Sequence, residues 1–154
     1  MLSRDGDLLV SWRGVAVGGV AAALISALVS LFVVDFFVPW LTYMDPIVVI
    51  GVVSVLTSVL RAMAGIFAGR AYRARKVVHE RPDYLLTGAL AGALGWLLWS
   101  LLVLALGDPQ MFTTVRGLLE LPRWVLEVAI GTLLVSVDPP EPVTRRARSL
   151  VGQR

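Results

Sequence analysis

A few charged residues inside apolar stretches are the residues of this chain that could do chemistry. Arg116, Glu120, Arg123 and Glu127 are separated by four, three and four residues. On an unbroken helix this spacing places them on one face, as a ladder of alternating charge. Glu127 is the most interesting, because a carboxylate inside a membrane is a candidate proton or cation site. The alternative is an ion pair of Glu127 with Arg123 or, across a helix bundle, with Arg61.

Arg61 interrupts a second apolar stretch. It lies nine residues before Arg70, which is about 13 Å along a helix. Its long side chain can extend toward the membrane surface, or an internal ion pair can neutralise its charge. The functional alternative is a place in an ion or anion pathway. The predicted intramembrane charges are therefore Arg61, Glu120, Arg123 and Glu127.

No other grouping of side chains indicates catalysis. The chain has no cysteine, and His79 is its one histidine. Thiolate chemistry and disulfides are thereby excluded. The Ser/His/Asp, paired-carboxylate, phosphate-loop and metal-ligand patterns are missing as well. We therefore expect a protein that is not an enzyme and binds no metal or cofactor.

The composition points to a membrane protein. Hydrophobic residues make up 57% of the 154 residues, and charged residues only 16%. A soluble domain is usually nearer a quarter charged, and so few polar residues would leave a large apolar surface in water. The class we predict is all-α, because an open strand cannot satisfy its backbone polar groups in lipid.

The apolar runs divide a single membrane domain, residues 1–154, into two hairpins. Four transmembrane helices are predicted, at about 13–34, 47–69, 84–106 and 115–137. An aromatic and proline-rich turn at 35–46 and a Gly-Asp-Pro turn at 107–109 separate the helices of each hairpin. Residues 111–121 remain open: they either begin the fourth span or form a separate interfacial helix before Pro122.

Small residues recur every four positions in three of the spans. This spacing keeps them near one helix face, where they allow a second helix to approach closely. The Gly88-x-x-x-Gly92 motif in the third span is typical of helix association, although it also arises by chance. The predicted helix-packing residues are Gly14, Gly18, Ala22, Ser26, Ser30, Ser54, Ser58, Ala62, Gly88 and Gly92.

The basic residues predict the orientation. An inner loop at 70–83 and a C-terminal tail at 138–154 hold most of them, so both termini are expected inside. With Arg4 and Arg13 of the N-terminal segment also placed inside, only Arg61, Arg116 and Arg123 lie elsewhere. The position of the inner basic residues beside apolar runs favours anionic lipid headgroups over nucleic acid as the partner. The residues predicted at the inner surface are Arg70, Arg73, Arg75, Lys76, Arg81, Arg145, Arg146 and Arg148.

Two functions follow from these features. The first is a structural or accessory subunit of a membrane complex, or of a virion or envelope membrane, which assembles through its small-residue faces with copies of itself or with a larger membrane protein. The second is a small oligomeric channel, hole-forming protein or transporter with a charged path through Arg61 and Glu127. For either function the expected location is integral to a membrane, the plasma membrane or a virion membrane.

Overall fold

The computed structural model describes residues 10–32, 43, 45–73 and 81–137, and these are almost entirely helical. Within these ranges there is no β-strand, which confirms the predicted all-α class. The helices are α1 Trp12–Phe32, α2 Pro46–Arg73, α3 Arg81–Ala105, α4 Gln110–Thr113 and α5 Val115–Val137.

Three of the helices, α1, α2 and α3, are long and apolar enough to cross a membrane, which is compatible with an integral membrane location. The fourth long helix, α5, has 23 residues. It carries the charged ladder from Arg116 to Glu127 and is therefore too polar to count as a span by composition alone.

Local sequence signals set the helix ends. Ser11 caps α1, because its hydroxyl accepts the Gly14 N–H at 3.2 Å. Asp45 caps α2 by accepting the Ile47 N–H at 2.8 Å, and Pro46 occupies the first helical position. At the end of α3, Gly107 adopts a φ of 91°. This left-handed residue closes a Schellman motif, in which the Asp108 N–H donates to the Val103 carbonyl at 3.1 Å.

The helices differ from the predicted segments in two places. The basic loop is shorter than 70–83, because Arg70 to Arg73 continue α2 and Arg81 begins α3. Residues 111–121 are divided: 111–113 belong to α4, a single turn, whereas 115–121 begin α5, which covers the predicted fourth segment 115–137 and runs unbroken through Pro122. Thr114 separates them and caps α5 by accepting the Gly117 N–H at 3.0 Å.

The four long helices form a ring in the order α1, α2, α5, α3. The helices of each hairpin are neighbours, and the hairpins meet through α1 with α3 and α2 with α5. In both of these pairs, α1 with α3 and α2 with α5, the two helices run parallel. Gly14 lies against Thr87, and Gly18, further along α1, lies against Ala91, further along α3.

Close packing of small residues fills the half of the bundle that contains Arg70 and Arg81, here called the basic end. A Cβ added to Gly18 would lie 2.6 Å from that of Ala68 on α2. A Cβ at Gly65 would collide with the Val128 carbonyl oxygen on α5, and one at Gly131 with the Ala62 carbonyl oxygen on α2. The helices therefore touch backbone to backbone here, and no channel passes between α2 and α5 at this level.

Candidate functional site

The structure brings the four predicted intramembrane charges together between α2 and α5. Because the two helices run parallel, the α5 ladder faces a serine-containing stretch of α2. We call the group the charge cluster. It contains four ion pairs among two arginines and two glutamates, and its members are Arg61, Glu120, Arg123 and Glu127.

Glu127 is the tightly held carboxylate of the charge cluster. Its Oε1 accepts hydrogen bonds from Ser58 Oγ at 2.5 Å and from Arg123 Nε at 2.8 Å. Its Oε2 accepts one from Arg61 Nη1 at 3.3 Å. Only 12% of its side chain is exposed. Three donors, two of them guanidinium groups, therefore hold this carboxylate in place.

Glu120 is held more loosely. Its carboxylate lies 3.4 Å from Arg123 Nη1 and 3.7 Å from Arg61 Nη1, and 27% of its side chain is exposed. Both separations are longer than the 2.7–2.9 Å or so of a strong charge-assisted hydrogen bond. The two carboxylates are therefore unequal, and Glu120 is the one on the accessible side.

The serines of α2 bind Arg123. Its Nη2 donates to the Ser54 hydroxyl at 2.7 Å, to the Ser54 carbonyl at 3.2 Å and to the Ser58 hydroxyl at 2.8 Å. Together with its bonds to the two glutamates, these contacts use nearly all the donors of the guanidinium. Arg123 thus joins α5 to α2 and has little capacity to bind anything further.

Arg61 has spare capacity. Its Nε donates to Ser26 Oγ on α1 at 3.1 Å, and its Nη1 faces the two glutamates. No described residue accepts a hydrogen bond from Nη2. The guanidinium carbon lies 3.9 Å from the centre of the Trp124 ring, a cation–π contact at the centre of the bundle.

A cavity of about 460 Å³ opens beside the charge cluster, in the half of the bundle away from the basic end. We call it the charged cavity. A smaller cavity of about 260 Å³ adjoins it, and the two share Val53, Thr57, Arg61 and Trp99. The charged cavity is lined by Val49, Ile50, Val53, Ser54, Thr57, Arg61, Trp99, Thr114, Arg116, Gly117, Glu120, Arg123 and Trp124.

The cavity has both polar and apolar lining. Its α2 wall combines valine and isoleucine with Ser54, Thr57 and Arg61, whereas its α5 wall carries two arginines and Glu120. Trp124 is fully buried, and its indole N–H has no partner among the described residues. Such a lining can hold a small solute that has a charged or polar group and an apolar body.

The predicted packing residues divide into two groups by position. Those nearer the basic end lie where helices of this same chain touch: Gly14, Gly18, Ala22, Ala62, Gly88 and Gly92. The serines lie elsewhere: Ser26, Ser54 and Ser58 bind charged side chains, and Ser30 lines the smaller cavity. Three of the four serines at this spacing therefore place a hydroxyl on the bundle-facing side of their helix, where it binds arginine or glutamate.

The mid-span tryptophans contact protein. Trp96 is buried and packs edge-on against Phe112, with ring centroids 5.6 Å apart. Trp99 lines both cavities. The sequence left open whether these rings face protein or lipid. In the structure both rings contact other residues of this chain.

Two residues at the contact of α5 with α2, Trp124 and Gly131, were not among the predicted site or packing residues. Trp124 gives no sequence signal for its contact with Arg61, because the contact joins distant helices. Gly131 was detectable in principle, since it follows Glu127 by four residues and so shares the charged face. Within the described ranges there is also no group of three or more histidine, aspartate or glutamate residues placed to hold a metal ion.

At the basic end, a buried polar contact joins α2 to α3. The Tyr72 hydroxyl on α2 donates to Asp83 Oδ2 on α3 at 2.8 Å, and the Tyr72 and Tyr84 rings pack edge-on at 4.7 Å. In the sequence, Arg70 and Arg73 lie on either side of Tyr72, and Arg81 lies two residues before Asp83. The other residues predicted at the inner surface lie outside the described residues: Arg75, Lys76, Arg145, Arg146 and Arg148.

The fold and the site together define a class of protein, an all-α helical bundle with three helices able to cross a membrane and an internal charge cluster. No family model matches the chain, and no curated protein or solved structure is similar to it.

Proposed function

We propose that this chain is a membrane channel or transporter that admits a small polar solute or ion to the charge cluster. The observation that carries the proposal is the charged cavity, which reaches Arg61 and Glu120 between long apolar helices. Ionisable groups are rare at this depth in membrane proteins, and they commonly mark the route of a substrate or ion. The path lies within a single chain, between α2 and α5.

The packing supports α5 as a fourth span. Its 23 residues extend about 34 Å along a helix, enough for the hydrocarbon layer. Glu120, Arg123 and Glu127 face the other helices of the bundle, whereas Arg116, next to the N-terminus of α5, is exposed. Large apolar residues are exposed along the rest of the helix: Val115, Leu118, Leu119, Leu126, Ile130, Leu134 and Val137. With Arg116 near the membrane surface, the remainder of this face presents mainly apolar side chains to lipid.

The charges support an orientation with both termini inside. Arg13, Arg70, Arg73 and Arg81 all belong to the basic end, and basic residues accumulate on the cytoplasmic side of a membrane. The basic end then faces anionic headgroups of the plasma membrane or of a virion membrane, and the charged cavity opens outward. Because the small-residue packing closes the bundle below Arg61, passage requires α2 and α5 to separate at the Gly65–Gly131 contact.

Proteoliposome flux tests this function. Purified chain in liposomes is expected to pass protons, small cations or small anions faster than empty liposomes do. Glu127→Gln removes the tightly held carboxylate and is expected to change that flux at least severalfold. Tyr72→Phe, at the basic end, serves as a control that leaves the charge cluster intact. Flux equal to that of empty liposomes, or flux indifferent to Glu127→Gln, would refute a pathway through this cluster.

A second candidate function is assembly, as a structural or accessory subunit. An apolar groove of about 580 Å³ on α2 favours it; the groove is lined by Val48, Gly51, Val52, Val55, Leu56 and Val59. The faces of Gly88 and Gly92 are occupied by α5 of the same chain, so a homo-oligomer or a larger membrane-protein partner would have to use another face. The mass of the gently extracted assembly tests this candidate. A monomer would exclude it, and loss of a larger assembly in Gly51→Leu would place the contact on α2.

A further inference from the structure

We propose that the charged cavity is a binding site for a small anion, such as a carboxylate, sulfonate or phosphate, and that Glu120 is the internal carboxylate which this anion displaces. The proposal rests on the proposed function, because it names the class of solute that the cavity admits.

The charge of the lining favours an anion. Three arginines and one glutamate line the charged cavity, namely Arg61, Arg116, Arg123 and Glu120. Counting Glu127, which lies behind two of the arginines, leaves one positive charge in excess. That excess is Arg116, which is exposed and forms no ion pair with any described residue. Asp45 and Asp108 belong to the same end of the bundle, but neither lines the cavity.

Two side-chain donors beside the cavity are unused. The N-terminus of α5 also reaches the cavity through Thr114 and Gly117; the Gly117 N–H already donates to Thr114, so this helix end attracts negative charge through its dipole. Arg61 Nη2 and the Trp124 indole N–H have no acceptor among the described residues. These donors belong to separate elements that meet at one cavity, which is what a bound anion requires.

Glu120 occupies the position that such an anion would take. It bridges Arg61 and Arg123 at long distance and is exposed on the cavity side, whereas Glu127 is held from below by Ser58 and Arg123. An anion entering the cavity can therefore replace Glu120 at the arginines without disturbing Glu127. The valine and isoleucine wall would contact any apolar part of the solute.

Cysteine modification tests the proposal, because the chain has no cysteine of its own. Thr57→Cys places a thiol in the cavity wall, and Tyr43→Cys places one on the exposed connection before α2. The full chain in phosphatidylcholine liposomes is treated with sulfonatoethyl methanethiosulfonate, an anion, or trimethylammonioethyl methanethiosulfonate, a cation. The rate at Thr57→Cys divided by the rate at Tyr43→Cys gives the preference of the cavity.

The anionic reagent is expected to be preferred in the cavity, and inorganic phosphate or acetate is expected to slow it in a saturable way. Adding Glu120→Gln should raise the anion-to-cation ratio about tenfold. Removing a unit charge within about 10 Å of the thiol changes the interaction energy of the reagent by roughly the 1.4 kcal/mol that corresponds to a tenfold change in rate. Arg116→Gln, an exposed change, should lower the ratio severalfold. Arg13→Gln, at the basic end, should leave it unchanged.

The outcomes separate the proposal from the function on which it rests. Preference for the cationic reagent, or a ratio indifferent to both Glu120→Gln and Arg116→Gln, would overturn the anion site while keeping an accessible cavity. Failure of both reagents at Thr57→Cys, with normal reaction at Tyr43→Cys, would overturn the cavity and the proposed function together. If the anionic preference holds, liposomes containing phosphatidylglycerol identify the source of the anion. If the rate at Thr57→Cys divided by the rate at Tyr43→Cys is lower in these liposomes than in phosphatidylcholine alone, a lipid headgroup occupies the cavity. If the two liposomes give the same value, the anion that binds is a free solute.

Discussion

Glu127 and Glu120 differ in how strongly they should stabilise the bundle, although both are glutamates paired with the same two arginines. Glu127→Gln removes a carboxylate that accepts three hydrogen bonds and is largely buried. Removing one partner of a buried ion pair costs about 3–5 kcal/mol, because the remaining charge is left without compensation. Glutamine keeps an acceptor for Ser58, so we expect roughly 3 kcal/mol, the lower end of that range.

Glu120→Gln should cost far less. Its ion pairs measure 3.4 and 3.7 Å, and the side chain is partly exposed. Exposed pairs of this kind contribute about 0.2–1 kcal/mol. The free energy of unfolding, measured by titrating SDS into mild detergent micelles while following helicity, should therefore fall about 2–3 kcal/mol further for Glu127→Gln than for Glu120→Gln.

A double-mutant cycle supplies the control for this comparison. Arg61→Met combined with Glu127→Gln should cost less than the sum of the two single changes, by about 1–3 kcal/mol, because the pair is removed together. Equal losses for Glu127→Gln and Glu120→Gln would show that the structural distinction between the two carboxylates is wrong. Additive losses in the cycle would show that Arg61 and Glu127 do not interact in the folded protein.

Two further changes test the packing at the basic end. In a thermal unfolding assay, Gly65→Ala should destabilise the bundle by about 1–3 kcal/mol, because its Cβ would meet the Val128 carbonyl oxygen. Gly51→Ala on the same helix, with nothing within 4 Å of its added Cβ, should be neutral or stabilising in that assay. Similar losses at both glycines would contradict the close contact of α2 with α5. Tyr72→Phe should cost about 1.5 kcal/mol through loss of the hydrogen bond to Asp83; an unchanged melting temperature would mean that this bond contributes nothing.

The helical class could be predicted from the sequence because apolar runs of this length have few alternatives in lipid. The α5 ladder was predictable for a related reason, since spacings of three and four place side chains on one helix face whatever the tertiary structure. The partner of that face was predicted only as an alternative: the sequence offered Arg123 or Arg61 for Glu127, and the structure pairs Glu127 with both. Nothing local in the sequence places Arg61 beside Glu127, because the two are 66 residues apart and meet only through the packing of the hairpins.

The serines illustrate the same limit. Ser54 and Ser58 recur at the spacing of packing glycines, and the pattern alone does not distinguish a hydroxyl that fits a close contact from one that binds a charge. The charged cavity was equally hidden, because a cavity arises where side chains fail to meet, and that depends on the relative positions of helices. Trp124 became part of the site only through the contact of α2 with α5.

The order in which the helices are synthesised gives the charge cluster a consequence for biogenesis. In the proposed membrane protein, Arg61 would enter the membrane with α2, whereas its carboxylate partners would arrive with α5, after the whole of α3 has been made. Until then, Ser26 is the sole described residue of the first hairpin to which Arg61 donates a hydrogen bond. A chain truncated before α5 should therefore be inserted poorly or removed by quality control, because Arg61 would lack its carboxylate partners.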